Sequence, residues 1–275
     1  MSWNDSLLWS IRPDCEHDAR AMVQRLDVSA AGLHRDNLWK QYTSRLARAL
    51  DMDQLPIDID GEIGVVTVDG PLVNQVNPFT ANYPLLTASF DRMRTDGNIA
   101  AVIVRFRTPG GTVSGLHSCA SALNALAETK LTIAQNDGGC YSAGYYLASQ
   151  CGTICSEATD HIGNIGTVLS LYDFSEMFAK QGVRTIVKRT GPIKGLGIMG
   201  DEITTAQEMV LQELCDEHFS HFRAAVQSGR GMDDDQFAAV SDGRWWTGET
   251  ALTNGIIDQV SSYSETLAQL KALYP

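Results

Sequence analysis

Apolar and polar positions divide the chain into two regimes. Up to about residue 56 the apolar residues are sparse and recur at helical spacing: Met22 and Leu26, then Leu38, Tyr42, Leu46 and Leu50. That periodicity predicts two amphipathic helices, over 18–26 and 37–50, in a helical N-terminal arm comprising residues 1–56. Beyond it, short β-branched runs alternate with helical stripes. Residues 63–68 read as a strand, 85–93 as a helix, and 99–106 as an almost wholly apolar strand of the kind buried on both faces. A helix with Leu116, Ala120, Leu123 and Ala127 on one face follows, then a strand over 131–135 and a helix beginning after Ser142. Further strands are expected over 153–155, 167–171 and 184–188. Thr205-Ala206-Gln207-Glu208 has the pattern of a capping box, opening a long helix with Leu211, Leu214, His218, Phe222 and Val226 along a stripe. A short helix after Thr247 stops at Gly255, and 256–260 is a final strand. Strand–helix alternation of this kind predicts a mostly parallel sheet in an α/β domain over 57–275, with sites gathered at the carboxyl ends of strands.

Composition narrows the class. The chain has 275 residues, 44% of them hydrophobic, enough for one large core. A net charge of −12 argues against nucleic acid or an anionic membrane surface as the main partner. No run approaches the roughly 18 apolar residues of a membrane span. The start, Met1-Ser2-Trp3-Asn4-Asp5-Ser6, lacks the basic opening of a signal peptide. The expectation is a soluble, cytoplasmic chain without a transmembrane segment, whose six cysteines (Cys15, Cys119, Cys140, Cys151, Cys155 and Cys215) are free thiols. Cys151 and Cys155 lack a second pair, and His218 and His221 lack a third ligand, so no metal and no cofactor are expected.

The chemistry concentrates in Gly138-Gly139-Cys140-Tyr141-Ser142-Ala143-Gly144-Tyr145-Tyr146, which follows a strand and runs into a helix. A serine among small residues at such a junction is well placed as a nucleophile. Glycines let substrate backbone approach, and the helix start offers unpaired N–H groups to an oxyanion. Gly110-Gly111 follows another strand and is expected at the same end of the sheet, so the backbones of Ala143 and of Gly110 or Gly111 are the candidate oxyanion donors. Serine needs a base. Two compete: Lys194, on the glycine-flanked loop 190–197, and His161, nineteen residues after Ser142, with Asp160 or Asp173 as the orienting acid. A lysine serves only if burial or nearby positive charge lowers its pKa. Cys140 stands where the leading glycine of a Gly-x-Ser-x-Gly elbow would be, so that motif is not met. No histidine accompanies Cys140 in a known pattern, and it reads as a packing residue.

Taken in order, these segments resemble the signal peptide peptidase A family of Ser-Lys proteases, from about Glu62 to Val260. Thr108-Pro109-Gly110-Gly111 is similar to the family's Ser-Pro-Gly-Gly turn, and Tyr141-Ser142-Ala143-Gly144-Tyr145-Tyr146 to its Ala-Ser-Gly-Gly-Tyr-Tyr nucleophile segment. Gly163-Asn164-Ile165-Gly166-Thr167-Val168 resembles Gly-Ser-Ile-Gly-Val, and Lys194 falls where the family's base lysine sits, fifty-two residues after Ser142. Gly243-Arg244-Trp245-Trp246-Thr247-Gly248-Glu249-Thr250-Ala251 is similar to Gly-Arg-Val-Trp-Thr-Gly-x-x-Ala, and Gly255-Ile256-Ile257-Asp258 to Gly-Leu-Val-Asp.

The resemblance implies a Clp-protease/crotonase-like fold of repeated β-β-α units. It implies a peptide- or protein-cleaving enzyme with Ser142 as nucleophile, Lys194 as base, and the backbones of Gly111 and Ala143 as the oxyanion hole. Gly110 and Asn164 become candidates for substrate binding or for orienting the lysine. Asn164 departs from the family serine but keeps hydrogen-bonding capacity. The resemblance also implies a homo-oligomeric ring or dome in which the lysine acts within one chain or between chains. Expected roles are phage head maturation, in a prohead, or cleavage of residual signal peptides. A catalytically degenerate ring or capsid assembly protein and a crotonase-like acyl-CoA enzyme are the alternatives.

Overall fold

The computed structural model describes residues 55–76 and 80–274. The helical arm expected over 1–56, with its helices over 18–26 and 37–50, lies almost entirely outside the described residues, as does Cys15. The described chain forms two compact units. One contains the residues up to Ile165 and those from Ala225 onward; the other is Gly166–Ala224.

In the first unit the strands are β1 (Ile57–Asp60), β2 (Ile63–Asp69), β3 (Leu72–Val73), β4 (Ala81–Asn82), β5 (Ala101–Thr108), β6 (Leu131–Tyr141), β7 (Thr153–Ser156), β8 (His161–Gly163), β9 (Trp245–Thr247) and β10 (Gln259–Val260). Between the earlier strands lie helices α1 (Tyr83–Thr95), α2 (Leu116–Ala127) and α3 (Ala143–Ala148). Helix α4 (Ser175–Lys180) belongs to the second unit, and α5 (Thr205–Arg230) starts there and ends in the first. Helices α6 (Asp234–Val240), α7 (Gly248–Thr253) and α8 (Tyr263–Leu273) complete the chain.

Among the described residues, the main sheet runs β1-β2-β5-β6-β7-β10, with β8 pairing to β6 and β9 to β8. The pairs β2–β5, β5–β6, β6–β7, β6–β8 and β7–β10 are parallel; β1–β2 and β8–β9 are antiparallel. This is the parallel-rich α/β architecture that the sequence predicts and the Clp-protease/crotonase-like resemblance implies. The central strands are apolar along most of their length because both faces are covered. One face meets α8, whose Leu270 joins Ile63, Ala101, Ile103 and Ile133 in a core cluster. On the other face α1 buries Leu86, Phe90 and Met93, and a Cβ at Gly64 would collide with the Met93 sulfur. Asn82 caps α1 by accepting the Leu85 N–H at 3.1 Å.

Several expectations are corrected. The segments 167–171 and 184–188 form no strand. Their β-branched residues carry strand propensity, but a strand needs a ladder partner, and none is present among the described residues. The capping box of α5 lies one residue earlier than its sequence pattern suggests. Thr204 donates its N–H to the Gln207 side chain at 3.0 Å, and the Gln207 N–H returns to Thr204 Oγ1 at 3.4 Å. The α5 stripe is buried only toward its end, at Phe222 and Val226, while Leu214 is exposed. Strand β6 extends six residues past its expected end, β8 and β9 are too short to show a period, and α8 escapes the sequence reading although Tyr263, Leu267, Leu270 and Tyr274 recur at helical spacing behind the Ser262–Glu265 capping box.

In the second unit, Gln207 and Phe222 are the only buried residues. The unit is held by polar contacts. Thr167 Oγ1 donates to the Cys215 carbonyl at 2.9 Å, Gln207 Nε2 donates to the Pro192 carbonyl at 3.2 Å, and Arg189 pairs with Asp201.

A polar junction ties the end of α5 to the sheet. Arg230 grips both carboxylate oxygens of Asp258 at 2.7 and 2.9 Å. Asp258 also accepts the Ile154 N–H at 2.7 Å, and Tyr145 donates its hydroxyl to the Ile256 carbonyl at 2.9 Å. Replacing Arg230 leaves Asp258 short of its charge-assisted partners. Arg230→Met is expected to lower unfolding stability by about 2 kcal/mol, read from the urea midpoint with an unchanged m-value.

Candidate active site

Strand β6 pairs with β5 in regular register from Ala101↔Leu131 to Phe106↔Asn136. The register then shifts, so that Thr108 faces Cys140. Asp137, Gly138 and Gly139 bulge out, and β6 changes neighbour: before the bulge it pairs with β7, after it with β8. Ser142 follows at once as the N-cap of α3, with φ 51° and ψ −120°. A non-glycine residue there is strained by about 1–3 kcal/mol and is held by its surroundings. The Ser142 N–H donates to the Gly163 carbonyl at 2.9 Å, and the Tyr146 N–H donates to the Ser142 carbonyl at 3.0 Å. The serine is half-buried, and its Oγ makes no hydrogen bond among the described residues.

The Thr108–Gly111 turn packs directly on this residue. A Cβ at Gly110, where φ is 95°, would lie 2.7 Å from Ser142 Cβ and 2.9 Å from the Tyr141 carbonyl. The Gly110 N–H donates to Thr108 Oγ1 at 3.1 Å, and its carbonyl accepts the Leu72 N–H at 2.9 Å. Both polar groups of Gly110 are therefore engaged within the chain. The Gly110 carbonyl and the Gly111 N–H share one trans peptide and point in opposite directions, so the Gly111 N–H faces away from Leu72. Thr112 donates its N–H to the Leu72 carbonyl at 2.9 Å, and the buried Tyr83 hydroxyl donates to the Thr112 carbonyl at 2.7 Å. The turn thus leaves the end of β5 at Thr108 and is held to β3 by a lone bridge between Leu72 and Gly111. The Thr108 methyl sits where a side chain on Gly144 would go. As the first residue of α3, Ala143 has an N–H with no acceptor inside the helix.

The structure therefore brings Ser142, Ala143 and Gly110 into contact, with Gly111 beside them. Asn164 is reached through β8. It has φ 53°, donates its N–H to the Arg244 carbonyl at 2.8 Å, and donates its amide Nδ2 to the Gly243 carbonyl at 2.6 Å. Its Oδ1 accepts no hydrogen bond among the described residues. Lys194 belongs to the second unit, on an exposed turn where its N–H donates to the Gly191 carbonyl at 3.1 Å. His161 is exposed and makes no hydrogen bond to Ser142; its carbonyl accepts from Asn136. Cys140 is fully buried, and burial pushes its thiol well above the usual range, which suits a packing role. Tyr141 is also pushed up, first by burial and then by nearby Asp160. Its ring meets Trp245 edge-on at 6.3 Å, and Trp245 is 55% exposed. Sequence reading passed over Asn136, placed Thr108 and Trp245 only within family segments, and took Asp160 only as a possible partner of His161. For Trp245 the available signal is the tryptophan where the family segment carries valine. No group of three or more His, Cys, Asp or Glu side chains among the described residues is placed to hold a metal ion.

A strained serine at a strand-to-helix turn of a parallel α/β sheet, packed against a glycine turn, makes this the candidate active site. Residues 124–274 match peptidase family S49, and the chain belongs to that family. It is 29% identical to the putative protease slr0021 of Synechocystis over 59% of this chain and 58% of that protein. It is 27% identical to the chloroplastic serine protease SPPA of Arabidopsis thaliana over 74% of this chain and 30% of that protein. It is 24% identical to the head-tail preconnector protein GP5 of Enterobacteria phage P21 over 75% and 42%. The chain thus spans about three-fifths or less of the length of these curated relatives. Among solved structures, it superimposes on an enoyl-CoA hydratase/isomerase family member with a TM-score of 0.45 at 16% identity, covering 79% of this chain and 73% of that one.

Gly110→Ala tests the packing of the turn. It forces a Cβ into the Ser142 backbone at a positive φ and is expected to destabilise the fold by about 2 kcal/mol or more in urea unfolding. Gly97→Ala, where a Cβ meets nothing within 4 Å, serves as the comparison.

Proposed function

We propose that this chain is a serine endopeptidase working through a Ser142–Lys194 dyad. The observation that carries the reading is the backbone of Ser142, held at φ 51° on the first turn of α3 with Gly110 packed against it. Strain of this kind persists where surrounding contacts over-determine it, and it clusters at working sites. In the proposed reaction Ser142 Oγ attacks the scissile carbonyl carbon while the neutral amine of Lys194 takes the hydroxyl proton. The tetrahedral oxyanion lies against the N–H groups of Gly111 and Ala143. Collapse passes the proton to the leaving amine and leaves an acyl-enzyme, which water then hydrolyses. Gly110 contributes by having no side chain. Asn164, with its Oδ1 unpaired, orients the lysine or a water.

Lys194 is exposed in the single chain, and a base lysine must be desolvated to be neutral near pH 7. The reading therefore requires that its turn be covered, and we assign that covering to a second copy of the chain in a homo-oligomer. Support comes from the second unit, which exposes Val168 at 91%, Tyr172 at 73%, Ile186 at 67% and Met199 at 63%. Such apolar exposure in a unit without its own core marks an association surface. The sequence resemblance to the signal peptide peptidase A family and the match to the phage preconnector protein support two substrate settings, residual signal peptides and phage head proteins.

Ser142→Ala is expected to abolish peptide hydrolysis and labelling by a fluorophosphonate probe, and Lys194→Ala to slow hydrolysis by at least about 1,000-fold. Full activity of Lys194→Ala alongside a dead His161→Ala would falsify the dyad. An intact oligomer that the probe never labels would identify an assembly protein instead. Ile186→Asp together with Met199→Asp is expected to shift the native mass toward a single chain; an unchanged mass rules out this surface.

A further inference from the structure

The two glycines of the bulge that precedes Ser142 are held by two side chains outside the proposed dyad and oxyanion hole, while Arg105 pairs with Asp137. Asn136 is 1% exposed and sits at the last paired position before the register shift. Its Oδ1 accepts the Gly139 N–H at 2.9 Å. Its Nδ2 donates to Ser156 Oγ on β7 at 2.9 Å and to the His161 carbonyl on β8 at 3.1 Å. One amide thus ties together the bulge, the strand that pairs with β6 before it, and the strand that pairs after it. At the outer side of the bulge, the Asp160 carboxylate accepts the Gly138 N–H at 2.7 Å. Gly138 and Gly139 have φ of 114° and 133°, open to glycine but strained for other residues. A Cβ on Gly139 would lie 2.7 Å from the Tyr141 ring, so the bulge also supports the residue immediately before Ser142.

We infer that Asn136, assisted by Asp160, is the positioning residue of this site. It fixes the register shift that carries β6 from β7 to β8, and so places Ser142 where its N–H meets the Gly163 carbonyl. Bulges beside reactive residues re-aim side chains. Here the two extra residues on β6 have no ladder partner of their own, so polar side chains must hold them. Only an amide of this length offers one acceptor to the bulge and two donors to the flanking strands. Serine or alanine cannot span the three partners, and aspartate turns the contact with the His161 carbonyl into a repulsion between acceptors and draws the Ser156 hydroxyl proton away from the Glu157 carbonyl. The inference rests on the proposed role of Ser142, but the conformation of the bulge can be measured without it.

The test compares the wild type, Asn136→Ala, Asn136→Asp and Asp160→Ala as full chains. The readouts are fluorophosphonate labelling of Ser142, resolved into the probe's binding constant and its bonding rate, and amide hydrogen exchange at Gly138 and Gly139. Asn136→Ala is expected to slow the bonding rate at least about 10-fold with little change in probe binding, as a nucleophile displaced by a fraction of an ångström should. It should also speed exchange at Gly139. Asp160→Ala should speed exchange at Gly138 and slow bonding less. If Asn136→Ala does not fold, Asn136→Asp is read on the same two axes; it keeps the side-chain volume and the Gly139 contact, and should still slow bonding. Wild-type bonding rates in folded Asn136 variants, or unchanged exchange at Gly139 in Asn136→Ala, overturn the inference. A wild type that never labels refutes the nucleophile reading, while exchange at Gly139 continues to report on the clamp.

Discussion

The candidate site depends on one close approach, that of the Gly110 backbone to the backbone of Ser142. Only a residue without Cβ fits between Ser142 Cβ and the Tyr141 carbonyl. Much of the neighbourhood can be understood as enforcing that contact. Thr108 Oγ1 and the Leu72 N–H hold the two polar groups of Gly110, and the carbonyl anchored on Leu72 turns the adjoining Gly111 N–H the other way. Tyr83 braces the turn from beneath through the Thr112 carbonyl. On the serine side, the hydrogen bond to the Gly163 carbonyl and the Tyr145–Ile256 contact hold the start of α3 in a conformation it would not adopt alone. The strain at Ser142 is therefore sustained by β8, by the Gly110 turn and by the anchoring of α3 at Ile256, not by local sequence preference.

The two units differ in what stabilises them. The first has a continuous apolar core on both faces of its sheet, and it can afford buried amides such as Gln135 and Asn136 because their polar atoms find partners. The second has almost nothing buried, and its order comes from side-chain caps and ion pairs on the surface. Such contacts contribute little individually in water. Its β-branched stretches find no ladder partner in the described chain. This asymmetry places the exposed Lys194 turn in the part of the protein with the least support of its own.

The family resemblance and the local chemistry were legible in the sequence because they rest on short, ordered motifs. The apolar run of β5, the α1 and α2 stripes and the Gly110, Ser142 and Gly163 segments lie where their patterns place them. What escaped reading depends on pairing at a distance. Residues 167–171 and 184–188 have the composition of strands, yet composition does not supply a neighbour. Strand β8 is three residues long and exists because β6 and β9 flank it. Asn136 sits in a stretch that reads as a strand running out into a loop; its role follows from contacts twenty and twenty-five residues away.

By itself, the sequence determined the alternation of strands and helices, the presence of a serine between small residues at a strand end, and the glycines that a tight approach would need. These are local properties, set by side-chain size, branching and periodicity. Tertiary structure decided which carbonyl receives the Ser142 N–H, that both polar groups of Gly110 are engaged, and that β6 bulges by two residues before the serine. It also decided that Asn164 anchors to Gly243 and that Lys194 sits on an exposed turn of a unit lacking its own core. Hydrogen-bond direction, strand register and burial depend on partners distant in sequence, and no local pattern of residues encodes them.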